Sequence, residues 1–180
     1  MTLPRVVNAL WEDLQSVREE ILEEVEGLSQ AQADWRAGED GWSAGEILHH
    51  LTLAETATGK LTSKLLKDAG QEAAPFPADL TEFAPLPPWP SAPPMEAPSL
   101  VRPEKGHPIE RLLADMKGAR ERSRQSVERL ASVDPRPLTW THFALGELNL
   151  AQWWMLQARH DRDHLEQLRA IKVSPGFPKS

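Results

Sequence analysis

The chain has 180 residues, a formal net charge of −7 and no cysteine. This length suits one domain with a substantial core, and we expect a single domain over residues 1–180. The excess of acidic side chains argues against nucleic acid or an anionic membrane as a partner. The absence of cysteine excludes disulfides, thiolate metal ligands and a cysteine nucleophile. Because the sequence shows neither a signal-like N-terminus nor an apolar run of membrane-spanning length, we expect a cytoplasmic protein.

Helical periodicity predicts two long helices in the first part of the chain. The first covers residues 3–28, where apolar side chains recur at spacings of three and four. Residues 30–41 are predicted to be a connection, and the second helix covers residues 43–67. Ser43 and Glu46 form the S-x-x-E pattern of a capping box, which is typical of a helix N-terminus.

The composition then changes abruptly over residues 70–108. Eleven of the sixteen prolines lie between Pro75 and Pro108, which excludes a regular helix and predicts an extended, polyproline-like crossover. A crossover of this length lets the helices on either side run in the same direction. We expect it to pack on the helices, with a disordered linker as the alternative, because aromatic residues and a methionine recur along it: Phe76, Phe83, Trp89 and Met95.

Two further helices are predicted in the C-terminal part. The third covers residues 108–132 and ends at the proline-containing segment 134–137. Residues 140–148 are predicted to connect it to a fourth helix over residues 149–171. Arginines on the third helix are expected on a solvated face, with a basic binding patch as the alternative. They are Arg120, Arg122, Arg124 and Arg129.

Three histidines form a candidate metal site. His160 and His164 lie four residues apart, so a helix places both imidazoles on one face, one turn apart. In the second helix His50 falls within the apolar stripe, whereas His49 points away from it. Two imidazoles from one helix and a third from a facing helix can bind a metal ion and leave positions open for substrate. The alternative is three core histidines bonded to backbone or water. The charged neighbours Arg159, Asp161 and Arg162 are expected to point outward or sideways.

The remaining candidates have simpler interpretations. His107 and His142 are expected to face solvent or to cap local structure. Glu46 is expected to act in its capping box, although it lies one turn before His50 and could orient that imidazole; Asp163, beside His164, has the same alternative role. Tryptophans near the candidate site are expected in the core or in a pocket wall. They are Trp42, Trp153 and Trp154.

Two segments carry a family resemblance. Residues 41–51 read GWSAGEILHHL, and residues 145–168 contain the segment LGELNLAQWW followed by H-x3-H-L-E-Q-L. In order and spacing these segments resemble the second and fourth helices of the DinB/YfiT-like superfamily. The resemblance implies an all-α four-helix bundle with a long proline-rich crossover between its second and third helices. It also implies a divalent metal ion, commonly nickel or zinc, held by His50, His160 and His164.

The same resemblance sets the functional expectation. Known reactions in this superfamily include thiol-dependent transfers and isomerisation, so we expect a metal-dependent hydrolase or a thiol-dependent S-transferase. Its partners would be an unidentified small-molecule substrate and a low-molecular-weight thiol, because the chain has no thiol of its own. The alternatives are a non-catalytic metal-binding or stress-related bundle and a simple interaction scaffold. A homodimer is also expected, since bundles of this type often pair.

Overall fold

The computed structural model describes residues 3–39, 41–91 and 96–179. Four long helices form a bundle, and a short helix and a two-stranded hairpin are added to it. The helices and strands are α1 (Arg5–Val25), α2 (Gln30–Asp34), α3 (Ala44–Ala69), α4 (Ile109–Leu130), β1 (Thr139–His142), β2 (Gly146–Asn149) and α5 (Leu150–Lys172). The expected all-α four-helix bundle is therefore confirmed, with the small hairpin as its only sheet among the described residues. Within that part of the chain, no helix is both long and apolar enough to cross a membrane.

Consecutive long helices α3 and α4 run parallel. Glu55 in the middle of α3 pairs with Arg120 in the middle of α4, and Ser63 further along α3 pairs with Arg129 further along α4. A parallel pair of neighbouring helices needs a long connection, which residues 70–108 provide. The crossover is thus required by the topology of the bundle.

The other long helices complete an up-down-down-up arrangement. Helices α1 and α5 also run parallel, because Asp13 pairs with Arg162 and, further along both helices, Glu20 pairs with Arg169. Helix α5 runs antiparallel to α3, since Trp154 near its start donates to Thr62 near the end of α3. As a result, the first half of α3 faces the second half of α5.

The crossover packs on the bundle, as the sequence predicted. Phe76 and Phe83 lie against the core cluster around Trp154. Further along, the Pro87 carbonyl oxygen accepts a hydrogen bond from Arg159 of α5 at 2.7 Å. Of the four large apolar residues expected to anchor the crossover, Met95 lies outside the described residues. Backbone and side-chain contacts of this kind keep the proline-rich segment close to α5.

Two predicted connections contain regular structure. Residues 30–41 include α2, which begins at a capping box made by Ser29 and Gln32. Residues 140–148 lie largely in the hairpin, where Thr139 pairs with Asn149 and His142 with Gly146. Helix α2 has five residues and each strand has four, so these elements are too short to show the apolar periodicity that predicted the long helices.

A buried ionic layer divides the core of the bundle in two. Each long helix contributes one charged residue: Arg18 from α1, Glu55 from α3, Arg120 from α4 and Asp161 from α5. Arg18 bonds both carboxylates at 2.8 and 2.9 Å, and Arg120 bonds Glu55 at 2.8 Å and Asp161 at 3.3 Å. The side chains of both acids are fully buried. One apolar cluster surrounds Leu51 on one side of this layer, and a second lies beyond it.

This layer corrects two expectations from the sequence. Asp161 was expected to point outward or sideways and Arg120 to lie on a solvated face, but both are buried in the centre of the bundle. Their burial is tolerated because two positive and two negative charges from the four helices pair with one another. The neighbouring Arg122 and Arg129 are exposed, as expected for a solvated helix face.

Candidate metal centre

Three imidazoles meet between the facing halves of α3 and α5. The Nε2 atom of His160 lies 2.9 Å from Nε2 of His50 and 3.2 Å from Nε2 of His164. All three candidate ligand atoms lie within 4.8 Å of one another, close enough for a single metal ion to contact all three. The antiparallel packing of α3 on α5 therefore joins residues that are more than a hundred positions apart in the sequence.

Hydrogen bonds fix the orientation of two of the rings. The Nδ1–H group of His50 donates to the carbonyl oxygen of Val101 at 2.7 Å, and Nδ1–H of His164 donates to Oε1 of Gln167 at 2.9 Å. Both bonds place the ring proton on Nδ1, so each Nε2 keeps its lone pair and turns it toward His160. Val101 belongs to the crossover, which thus orients a residue of the cluster.

Burial keeps the three rings neutral. It lowers the pKa of His50 to about 4, although the hydrogen bond to Val101 opposes the shift. Burial also lowers the pKa of His160 well below its usual value, and the neighbouring imidazoles add to this effect. For His164 burial lowers the pKa despite the hydrogen bond to Gln167. Neutral imidazole is the form that binds a metal ion, so the cluster is ready for a cation near pH 7.

A large cavity opens onto the three histidines. Its volume is about 1220 Å³ and its wall is mostly apolar. The ring of Trp42 stacks on His164 with centroids 5.9 Å apart and lies 4.7 Å from that of His50. Trp153 also lines the cavity, whereas Trp154 lies fully buried in the core. The sequence prediction that tryptophans near the site belong either to the core or to a pocket wall is confirmed for these three.

His49 and His107 lie apart from the cluster. The Nδ1 atom of His49 accepts a hydrogen bond from the backbone N–H of Glu104 at 3.0 Å. Its ring lies 4.4 Å from that of His107, and neither of these two histidines lines the cavity. The helical face assigned to His49 from the sequence, away from His50, is therefore confirmed.

The two candidate supporting acids have other partners. Glu46 completes the capping box with Ser43 and also pairs with Arg36. Its capping role is confirmed, and the alternative of orienting His50 is not supported. Asp163 accepts a hydrogen bond from the indole nitrogen of Trp89 at 3.0 Å, so it anchors the crossover. The acceptor for His164 is Gln167, one turn later, which the sequence analysis did not identify.

His142 is the cavity residue that sequence reasoning missed. It was expected to face solvent or to cap local structure, but only 9% of its surface is exposed and it lines the cavity. Its Nδ1 atom accepts the backbone N–H groups of Ala144 and Leu145, so the capping expectation is confirmed and the solvent-facing one is wrong. The hairpin, which the sequence analysis did not predict, is the element that brings it to the cavity.

These features define a class of protein: a four-helix bundle with a histidine-only candidate metal centre at the wall of an apolar cavity. A sequence model described as the DinB superfamily matches residues 13–168, and the chain belongs to this superfamily. Its structure is similar to that of TT2238, described as a four-helix bundle protein. The TM-score is 0.63 at 21% identity, covering 91% of this chain and 98% of the other. At this identity the likeness supports the fold alone. A search of curated proteins finds no significant match.

Proposed function

We propose that the protein binds one divalent metal ion, nickel or zinc, through Nε2 of His50, His160 and His164. The proposal rests on one observation: two fixed imidazole lone pairs converge on the third ring. Without a cation, two nitrogen acceptors face one another across His160. In addition, Nδ1 of His160 is buried and has no hydrogen-bond partner among the described residues. A cation would use the converging lone pairs directly.

The choice of metal follows from the ligands and from the family. Imidazole nitrogens suit zinc, nickel, copper and iron alike, so the ligand set does not distinguish among them. Nickel and zinc are favoured by the resemblance to the superfamily. Three neutral ligands would leave the full charge of the ion, which would then act as a Lewis acid within the cavity.

We further propose that the protein is a metal-dependent hydrolase or a thiol-dependent S-transferase acting on a small molecule. The cavity supports this proposal because it joins a bulky apolar binding space to the histidine cluster. Trp42 covers two of the three imidazoles and would limit the access of bulk water. A transferred thiol would come from a low-molecular-weight cosubstrate, since the chain contains no cysteine.

An activity panel tests this proposal. Purified protein loaded with nickel or zinc should hydrolyse activated esters, or should transfer a small thiol to electrophilic acceptors, and His160→Ala should lose the activity. The same substitution at His49 is the control, because His49 lies outside the cluster. If metal-loaded protein turns over neither class of substrate, the enzyme proposal fails and a non-catalytic metal-binding bundle becomes the better interpretation.

A further inference from the structure

His142 lies in an aromatic part of the cavity wall. It ends strand β1, and its ring centroid lies 4.4 Å from that of Phe143, 5.3 Å from that of Trp153 and 6.1 Å from that of Trp89. An imidazole among three aromatic rings is a polar group in an apolar setting. Its hydrogen-bonding capacity therefore has a strong influence on what can bind beside it.

Two backbone amides determine which nitrogen of His142 carries the proton. The N–H groups of Ala144 and Leu145 both donate to Nδ1, at 3.1 and 3.2 Å. Because an amide nitrogen can only donate, Nδ1 must hold a lone pair, and the proton of the neutral ring lies on Nε2. If Nδ1 carried a proton, its N–H group would face the two amide N–H groups with no acceptor between them, which is unfavourable. His142 is therefore a fixed Nε2–H donor.

This donor is free among the described residues, whereas the side chains of Gln157 and Asp163 at the same cavity are engaged. Among these residues the hydrogen bonds of the His142 ring are both made by Nδ1, and none is made by Nε2. By contrast, the amide nitrogen of Gln157 donates to Asp161 at 2.8 Å, and Asp163 accepts from Trp89. A ligand with an acceptor atom would give the Nε2–H group of His142 a partner.

We propose that His142 determines substrate specificity by donating its Nε2–H to an oxygen atom of a largely apolar, aromatic substrate. The inference rests on one part of the proposed function, namely that the substrate binds in this cavity. The volume of about 1220 Å³ exceeds the range of roughly 300–1000 Å³ typical of ligand pockets, so a bulky molecule fits. Aromatic walls favour a flat apolar body, and the oriented Nε2–H group of His142 selects a carbonyl or carboxylate group that lies beside these rings.

Binding of two matched ligands tests the proposal. 2-Acetylnaphthalene and 2-ethylnaphthalene have nearly the same shape, and only the former carries a carbonyl acceptor. Both should bind the purified protein in equilibrium dialysis. In His142→Phe, which keeps a ring at this position, the affinity ratio of the acetyl to the ethyl compound should fall about three- to tenfold. His49→Phe is the control and should leave the ratio unchanged.

Three results would overturn the proposal: an unchanged ratio in His142→Phe, an equal fall in His49→Phe, or failure of both ligands to bind. If His142→Phe weakens both ligands, His142→Asn decides, because its amide can accept from the two backbone N–H groups and also donate. Retention of the ratio in that variant supports the proposal, and its loss rejects it. The metal content of the same samples is measured separately, before and after chelation. A protein that takes up no nickel or zinc when these ions are supplied, but keeps the ratio, would contradict the metal proposal alone.

Discussion

At the scale of single residues, the sequence identified the histidine cluster but missed what orients it. The four-residue spacing of His160 and His164 and the helical face of His50, together with the family resemblance, predicted that the three rings meet. Their hydrogen-bond acceptors, Val101 and Gln167, could not be predicted in the same way. Val101 ends a three-residue 3-10 helix, which is too short to show a periodicity, and the contact depends on how the crossover packs. Metal binding by the cluster stays a prediction.

The lowered pKa values give a testable pH dependence for the metal-free protein. Burial lowers the pKa of His50 to about 4, whereas an unfolded histidine titrates near 6.5. Between these values the unfolded chain binds more protons, so the stability from neutral His50 is present above about pH 6.5 and declines as the pH falls. The free energy of unfolding of the metal-free protein, measured by urea denaturation in the presence of a chelator, should fall between pH 7.5 and pH 5.5. This fall should be about 1 kcal/mol smaller in His50→Gln than in the unaltered protein. An identical loss in both would contradict this assignment.

At the scale of helices and strands, length decided what the sequence could reveal. All four long helices were predicted within a few residues of their ends, because each repeats an apolar stripe over five or more turns. The ionic layer was missed, although its signal was present. Arg18, Glu55, Arg120 and Asp161 each occupy an inward position of their own helix, and together they carry two positive and two negative charges. Arg120 and Asp161 were expected at the surface, and this balance of charge becomes visible only when the inward positions of all four helices are compared.

The ionic layer predicts an unusually large effect of one arginine. Burial alone would raise the pKa of Glu55, but Arg18 and Arg120 hold it below its usual value, so the carboxylate depends on both. Removing one partner of a buried charge network costs about 3–5 kcal/mol. We therefore expect Arg120→Ala to reduce the free energy of unfolding by that amount in urea denaturation.

A matched variant on the same helix provides the control. Arg111 pairs with Asp115 on the exposed surface of α4. Exposed pairs of this kind contribute at most about 1 kcal/mol, so Arg111→Ala should change stability little. Equal effects of the two substitutions would show that the buried network has no special role in stability.

At the scale of the whole molecule, the crossover joins fold and site. It permits the parallel arrangement of α3 and α4, its Val101 carbonyl orients His50, and its Trp89 forms part of the cavity wall. The sequence indicated its extended character from proline content and its packing from its aromatic residues. The exact path over α5 depends on individual contacts, such as that of Pro87 with Arg159, which composition does not encode.

Assembly is a further expectation at this scale. The resemblance to the superfamily predicts a homodimer, and exposed aromatic residues of the hairpin offer apolar surface for a contact between two copies. Trp140 is 46% exposed and Phe143 is 61% exposed. Light scattering at tens of micromolar protein should give twice the chain mass of 20.1 kDa. A mass near that of one chain would reject the dimer.

Metal content is the most direct test of the central claim. Purified protein should contain close to one divalent ion per chain by elemental mass spectrometry. His164→Ala should lose most of the ion, because it removes one of three protein ligands, while His49→Ala should retain it. Circular dichroism should show that both variants remain helical, since the apolar clusters on either side of the ionic layer do not depend on the ion. The assignment of His50, His160 and His164 as the metal ligands would be contradicted if the unaltered protein takes up no metal during incubation with zinc or nickel. It would also be contradicted if both variants lose the ion equally.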